Sequence, residues 1–357
     1  MTAIRHELPT APPTIVTEVV MPGVVPPNGL QVRSRTLPPP AVGQALVCVE
    51  ASGVSFAEQQ MRLGKYYDQP AFPFVPGYDL VGTVTAVGAG VDPVLVGTRV
   101  AALTKTGGWA SAVLLDAADL VQVPAGLDPA EAETVVVNGI TAWQMLHNTA
   151  HIQSGQTVLV HGANGGVGST LVQLARHAGA RVIGTASPRN FAAVRALGAD
   201  PVDYADPDLP ARVRKLAPGG VDAVFDHVGG PGITDSWALL APGGTLVSYG
   251  SAATKDDQGA SRLPVLTLVG RLLLWDLAPN GKSASFFNVW AGRRRRTTFR
   301  ARLRADLGQV FNLLADGSLQ PQIAAQFPLE QAAAAMQLAE SHTAVGKVVL
   351  VPVVPVV

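Results

Sequence analysis

Cysteine is almost missing from this 357-residue chain; Cys48 stands alone. A lone thiol excludes internal disulfides and any zinc site built on clustered cysteines. Charge is sparse, at 15% of residues, and balanced, with 26 basic against 26 acidic side chains. The chain therefore has no global field to attract nucleic acid or an anionic membrane. No apolar run has spanning length. The most apolar one, Leu263 to Leu277, is short and broken by Arg271 and Asp276, so no bilayer crossing is expected. The first residues carry Arg5, His6 and Glu7 and no apolar signal core. A soluble, cytoplasmic protein is the expectation. What the chain has in quantity is apolar side chain, 48% of residues, ample for a large core. Its length suits two domains.

The stretch from Thr157 to Ala186 organises the rest. Thr157 to His161 is a short apolar run rich in β-branched residues and reads as a buried strand. Gly162-Ala163-Asn164-Gly165-Gly166-Val167-Gly168 follows, and then Leu171, Val172, Leu174 and Ala175 recur at helical spacing from Ser169 to Ala178. Arg181 to Ala186 is a second apolar strand. Strand, glycine turn, helix and strand make one βαβ unit with parallel strands. Ala163-x-Gly165-x-x-Gly168 is the dinucleotide fingerprint with alanine first. Gly165 lacks a Cβ, so a pyrophosphate can approach the backbone, and Gly168 lets helix and strand lie close. The helix start offers free N–H groups to the phosphates. An NAD site usually carries an acid about 20 residues on, at the end of the second strand. Here Thr185-Ala186-Ser187 holds that place, and Arg189 and Asn190 follow. With no carboxylate to repel a 2′-phosphate and an Arg to pair with it, NADPH is predicted over NADH.

Before this unit the chain reads as many short strands with Gly and Pro between them, a compact β domain. Ile15 to Val20, Leu30 to Arg35, Ala45 to Ala51, the strand after Gly77, Gly97 to Ala102 and Ala110 to Leu115 are its strands. Asp128 and Pro129 read as the N-cap and first residue of a helix. Asn138 to Leu146 continues that helix or begins another. After Ala186 strands and helices alternate: Pro201 to Tyr204, helix Leu209 to Leu216, strand Val221 to Val228, helix Ile233 to Leu240, strand Thr245 to Gly250. This is a doubly wound parallel sheet. Ser251 to Asn288 is a long segment, suited to a site wall or an oligomer contact. Arg293 to Arg296, with Arg300, Arg302 and Arg304, form a basic run. Phe299, Leu303, Leu307, Val310 and Leu314 supply a matching buried stripe, so a solvated helix face is expected rather than a phosphate or RNA site. Two strands, Ile323 to Phe327 and Gly346 to Val351, flank a helix from Leu329 to Ser341 and return to the first domain. His177 and His342 read as solvated helix residues, and His161 and His227 as strand-end residues.

From Gly53 to Tyr66, Pro76 to Gly82, His161 to Gly168 and Asp226-His227-Val228-Gly229-Gly230, the chain resembles the medium-chain dehydrogenase/reductase superfamily. Within it the likeness is to the zinc-free quinone oxidoreductase (zeta-crystallin-like) branch, over residues 15 to 352. The resemblance implies an α/β chain, with a doubly wound Rossmann domain at 128–321 and a GroES-like β-rich domain at 1–127 and 322–357. Zinc-dependent members have a Cys-His pair and a Gly-His-Glu; here Ser55, Phe56 and Tyr78 stand at those places, and no metal is expected. The implied activity is hydride transfer from NADPH to a quinone or to an activated C=C. The alternatives are an enoyl-thioester or polyketide-tailoring reductase, and a non-catalytic NADPH- or RNA-binding protein. Catalytic candidates are Tyr66, Ser55 and Tyr78; Ser55 replaces the family's usual Asn. By position Asn138 and Thr141 face the ribose and nicotinamide, and Ala163, Asn164, Gly165, Gly166 and Val167 hold the pyrophosphate. Ser187, Arg189, Asn190 and Tyr204 take the adenosine phosphate. Val228, Tyr249, Gly250 and Ser251 line the nicotinamide edge, with Phe286, Asn288 and Lys347 as further candidates. A homodimer acting on a small molecule, without nucleic acid or membrane, is implied.

Overall fold

The structure is a computed structural model that describes residues 14–250, 262–341 and 343–352. Ser251, His342 and the prolines before residue 14 lie outside the described residues. In chain order the first strands are β1 (Thr14–Val20), β2 (Gln31–Leu37), β3 (Gln44–Val54), β4 (Asp79–Val87), β5 (Arg99–Leu103), β6 (Ala112–Asp116) and β7 (Val121–Gln122). Helix α1 (Phe56–Arg62) lies between β3 and β4. Helices α2 (Pro129–Thr134) and α3 (Val137–Trp143) lead into β8 (Thr157–Val160), α4 (Gly166–His177), β9 (Arg181–Ala186), α5 (Phe191–Ala196) and β10 (Asp200–Asp203). Then come α6 (Leu209–Leu216), β11 (Val221–Asp226), α7 (Ile233–Ala238), β12 (Leu240–Ser248), α8 (Arg262–Asp276) and β13 (Ser283–Phe286). The chain ends its described course with α9 (Arg296–Ala315), β14 (Ile323–Pro328), α10 (Ala332–Glu340) and β15 (Lys347–Val351).

Among the described residues, two large sheets result. One has the order β10-β9-β8-β11-β12-β13, parallel throughout. Its strands are buried on both faces, which is why Val158 to Val160 and Val182 to Ile183 read as unbroken apolar runs. From β8 the chain winds outward one way to β10 and then resumes on the other side at β11. That reversal opens a crevice beyond the carboxyl ends of β8 and β11. The other sheet runs β14-β15-β3-β4-β5-β7, with β6 also on β3. β15 lies antiparallel to β3, so Val348 faces Val54. β1 and β2 form a separate hairpin. One core cluster passes through both lobes, from Val54 and Val81 through Val136 and Ile140 to Phe225.

Several element ends differ from the sequence reading, each for a local reason. α4 begins at Gly166, inside the glycine turn, with Gly165 as an N-cap that has no side chain to offer. β11 stops at Asp226 because that carboxylate turns the chain: its Oδ1 accepts from the N–H groups of Val228 (2.8 Å) and Gly229 (2.9 Å). Asp128 caps α2 through Ala130 and Glu131 as expected, and of the two courses open to Asn138–Leu146 the structure takes the second: the helix breaks at Val135 and α3 begins anew. In α9, Phe299, Leu307, Val310 and Leu314 are buried and Leu303 is half-buried. Arg293 to Arg296 are exposed, whereas Arg300 crosses to the β-rich lobe and pairs with Asp116 (2.6 Å) and Asp119 (2.7 Å).

Candidate functional site

The crevice between the sheets is a cavity of about 940 Å³. Its floor is the glycine turn and the start of α4. That start carries no side-chain cap, and Gly165, Gly166, Val167 and Gly168 line the cavity. At Gly165 a Cβ would meet only the Gly162 carbonyl oxygen, at 3.4 Å. The space above is open, a cradle that a side chain would fill. At Gly168 a Cβ would lie 2.1 Å from the same oxygen, so helix and turn could not come together. The two glycines thus show the two constraints of a dinucleotide fingerprint, and the donor set fits a pyrophosphate. The turn is tied to the other lobe, since the Gly346 N–H donates to Asn164 O (2.9 Å).

Every described cofactor candidate except Ala163 lines this cavity. Ala163 is fully buried against the turn. Asn138 and Thr141 reach it from α3, and Val228, Tyr249 and Gly250 from the ends of β11 and β12. At the far end Ser187, Arg189, Asn190 and Tyr204 come together, with Asn190 Nδ2 donating to Ser187 Oγ (3.2 Å). Asp206 also lies here, a carboxylate the sequence reading did not weigh; Arg212 pairs with it at 3.0 Å. Ser251 lies outside the described residues. Phe286 and Asn288 line the opposite wall after β13.

Lys347 is reached by the cavity, but its ammonium is otherwise engaged. It donates to Asp79 Oδ2 (2.7 Å), Glu133 Oε1 (2.7 Å) and Glu133 O (3.3 Å), all buried. Asp79 Oδ2 also accepts the Val137 N–H at 2.8 Å. Burial, then the charge of Asp79, push the Glu133 carboxyl well above the usual range. The two carboxylates hold the Lys347 ammonium above its ordinary value despite burial. The cluster locks α2 and β15 onto β4 directly behind Tyr78.

The three catalytic candidates meet at the substrate end. Ser55 caps α1; its Oγ accepts from Ala57 N and donates to Glu58 Oε2, so its proton is committed to the cap. Glu58 is buried, and its Oε1 accepts the Tyr78 N–H at 2.6 Å. Burial raises the Glu58 carboxyl, against the pull of the Ser55 hydroxyl. Tyr66 and Tyr78 face each other edge-on with their hydroxyls 2.8 Å apart. Burial pushes both phenols up, so each stays protonated far above neutrality. Such a pair can give a hydrogen bond and a proton to a developing oxyanion. Trp290, which lies just beyond the segment from Ser251 to Asn288 and was no site candidate, donates its indole N–H to Tyr78 at 2.5 Å.

Two histidines set aside as strand-end residues also border the cavity. His161 is satisfied, with Thr185 Oγ1 at 3.3 Å and Ser236 Oγ at 3.1 Å, and Ser236 in turn donates to Asp226. Its imidazole is held below its ordinary value by burial. His227 lies against Gly162, and burial lowers it to about 4. Among the described residues no group of three or more His, Cys, Asp or Glu side chains could hold a metal ion. Among them, too, no helix is long and apolar enough to cross a membrane.

Comparison with known proteins follows the same division. Residues 41–125 match the alcohol dehydrogenase GroES-like domain family and residues 197–350 the zinc-binding dehydrogenase family. The human synaptic vesicle membrane protein VAT-1 homolog is 33% identical over 333 residues, covering 90% of this chain and 82% of that one. A quinone oxidoreductase of Pseudomonas syringae superposes with a TM-score of 0.81 at 27% identity, over 94% of this chain and 100% of that one. A mycobacterial protein complexed with NADPH gives 0.80 at 28% identity, again over 94% and 100%. The chain belongs to the medium-chain dehydrogenase/reductase superfamily, in its zinc-free quinone oxidoreductase branch, and is an oxidoreductase of that family.

Proposed function

We propose that the chain is an NADPH-dependent reductase acting on a quinone or on the activated C=C of an enone or alkenal. One observation carries the reading: an open glycine cradle and a buried, protonated pair of phenols border the same cavity. The likeness to a quinone oxidoreductase and to a protein complexed with NADPH supports it. When bound, NADPH supplies the hydride.

The chain's own residues do the rest. The N–H groups at the start of α4 bind the pyrophosphate across the bare Cα of Gly165. Asn138 and Thr141 orient the ribose and nicotinamide side. Arg189, with Ser187, Asn190 and Tyr204, holds the 2′-phosphate end. Tyr66 donates to the substrate oxygen, where negative charge grows as the acceptor carbon is reduced, and then gives up its proton. In this reading residues 128–321 form the coenzyme lobe and the remainder the substrate lobe, and two chains assemble as a homodimer.

The test is NADPH oxidation followed by absorbance across a panel of quinones, enones and enoyl thioesters. Turnover on the first two classes is expected, and the best substrates lying among thioesters would shift the reading to an enoyl reductase. NADPH binding without turnover on any of them ends it. Tyr66→Phe is expected to lower kcat roughly 10²-fold, the scale of one positioned acid, with the KM for NADPH unchanged. Equal Michaelis constants for NADPH and NADH would remove the coenzyme preference.

A further inference from the structure

We propose that Trp290 is a positioning residue for proton delivery: its indole N–H sets the direction in which the Tyr78–Tyr66 pair presents a proton to the cavity. The ring is held from several sides. Asn288 Oδ1 accepts the Trp290 backbone N–H at 2.9 Å, Phe299 of α9 stacks at 6.0 Å, and the Arg293 guanidinium lies 5.8 Å from the ring centre. Its Nε1 meets Tyr78 Oη at 2.5 Å.

An indole nitrogen can only donate. Tyr78 therefore receives a hydrogen from Trp290 and keeps its own proton for Tyr66 Oη, 2.8 Å away. The Tyr66 proton is then left for the cavity side, which both phenols line together with Tyr67, the other hydrogen-bond neighbour of Tyr66. In the reverse order Tyr78 Oη would accept from both Trp290 and Tyr66, and the bond from Trp290, by taking up acceptor capacity there, favours the first order. Donation thus runs one way, from Trp290 after β13, to Tyr78 before β4, to Tyr66 after α1. The destination of the proton rests on the reductase reading; the relay itself does not.

The experiment has two arms on the full chain. With ¹⁵N-labelled tryptophan, the Trp290 indole resonance is the one missing from Trp290→Phe. It is expected to move in Tyr78→Phe and also in Tyr66→Phe, which removes a hydroxyl that Trp290 does not touch. An unmoved resonance in Tyr66→Phe overturns the relay. In turnover with an accepted enone or quinone, Trp290→Phe is expected to lower kcat about tenfold, one hydrogen bond's worth, with the KM for NADPH unchanged. The solvent isotope effect rises, Trp290→His recovers part of the rate, and in a Tyr66→Phe background Trp290→Phe costs little more. An unchanged isotope effect, or full additivity with Tyr66→Phe, overturns the proposal. Should the wild-type chain turn over nothing on the panel, the reductase reading fails while the resonance arm still decides the relay.

Discussion

Gly165 and Gly168 stand in one turn under different constraints. Gly165 has an ordinary backbone (φ −78), so alanine there should leave the melting temperature unchanged and weaken NADPH binding about tenfold. Alanine at 168 must displace the turn itself and should cost on the order of 2 kcal/mol in a thermal melt. Matching effects from the two substitutions would argue against the cradle. The buried cluster behind Tyr78 makes a sharper case. Burial and the charge of Asp79 push the Glu133 carboxyl up, while the Lys347 ammonium stands between the two acids. Lys347→Met removes the partner that both acids share and should cost about 3–5 kcal/mol, whereas Glu133→Gln keeps a hydrogen-bonding side chain of the same shape and should cost less. Urea denaturation that ranks them the other way refutes the assignment. His227 adds a pH dependence. Its folded value is depressed, so the unfolded chain binds the proton first and stability falls as pH drops from about 6.5 toward 4. Glu58 and Glu133, being raised, act oppositely, so the comparison is with His227→Gln. Between pH 7 and 5 the wild type should lose on the order of 2 kcal/mol relative to that variant.

At the level of elements, the βαβ unit was legible because two periods, apolar runs and a 3.6-residue stripe, switch at a glycine turn. The cap at Asp128 was legible for the same reason: its partners are three residues away at most. The end of β11 was not, because it is set by Asp226 folding back on the amides of Val228 and Gly229, a contact that the apolar pattern does not encode. Nor was the pairing of Trp290 with Tyr78, which joins elements from two lobes and leaves no local signature. Ser55 could be seen as a cavity residue but not as a cap, since the deciding partner is the buried Glu58. The basic run on α9 was read as solvated; Arg293 to Arg296 fit that, and Arg300 instead clips α9 to the β-rich lobe. Because that side chain is about one-fifth exposed and its acids nearly half, Arg300→Ala should cost less than about 1 kcal/mol, most visibly at low salt. A loss of several kcal/mol would mean the pairs are shielded from water.

For the whole molecule, the parallel sheet followed from the alternation of strand and helix, while the strand order of each sheet, the cavity between them and which side chains share it needed three dimensions. The proposed dimer is checked by sedimentation: a two-chain mass is expected, and a single-chain mass at micromolar concentration contradicts it. The return of β14 and β15 to β3 has a consequence for birth on the ribosome. The parallel sheet is encoded in one uninterrupted stretch and can close as soon as it emerges. The other sheet must wait, the Ser52–Val54 end of β3 bare on one side, until Val348 arrives to zip against Val54. A nascent chain stalled just after α9 should therefore already grip the coenzyme yet cling to chaperones, and release from them should come only with the last strand.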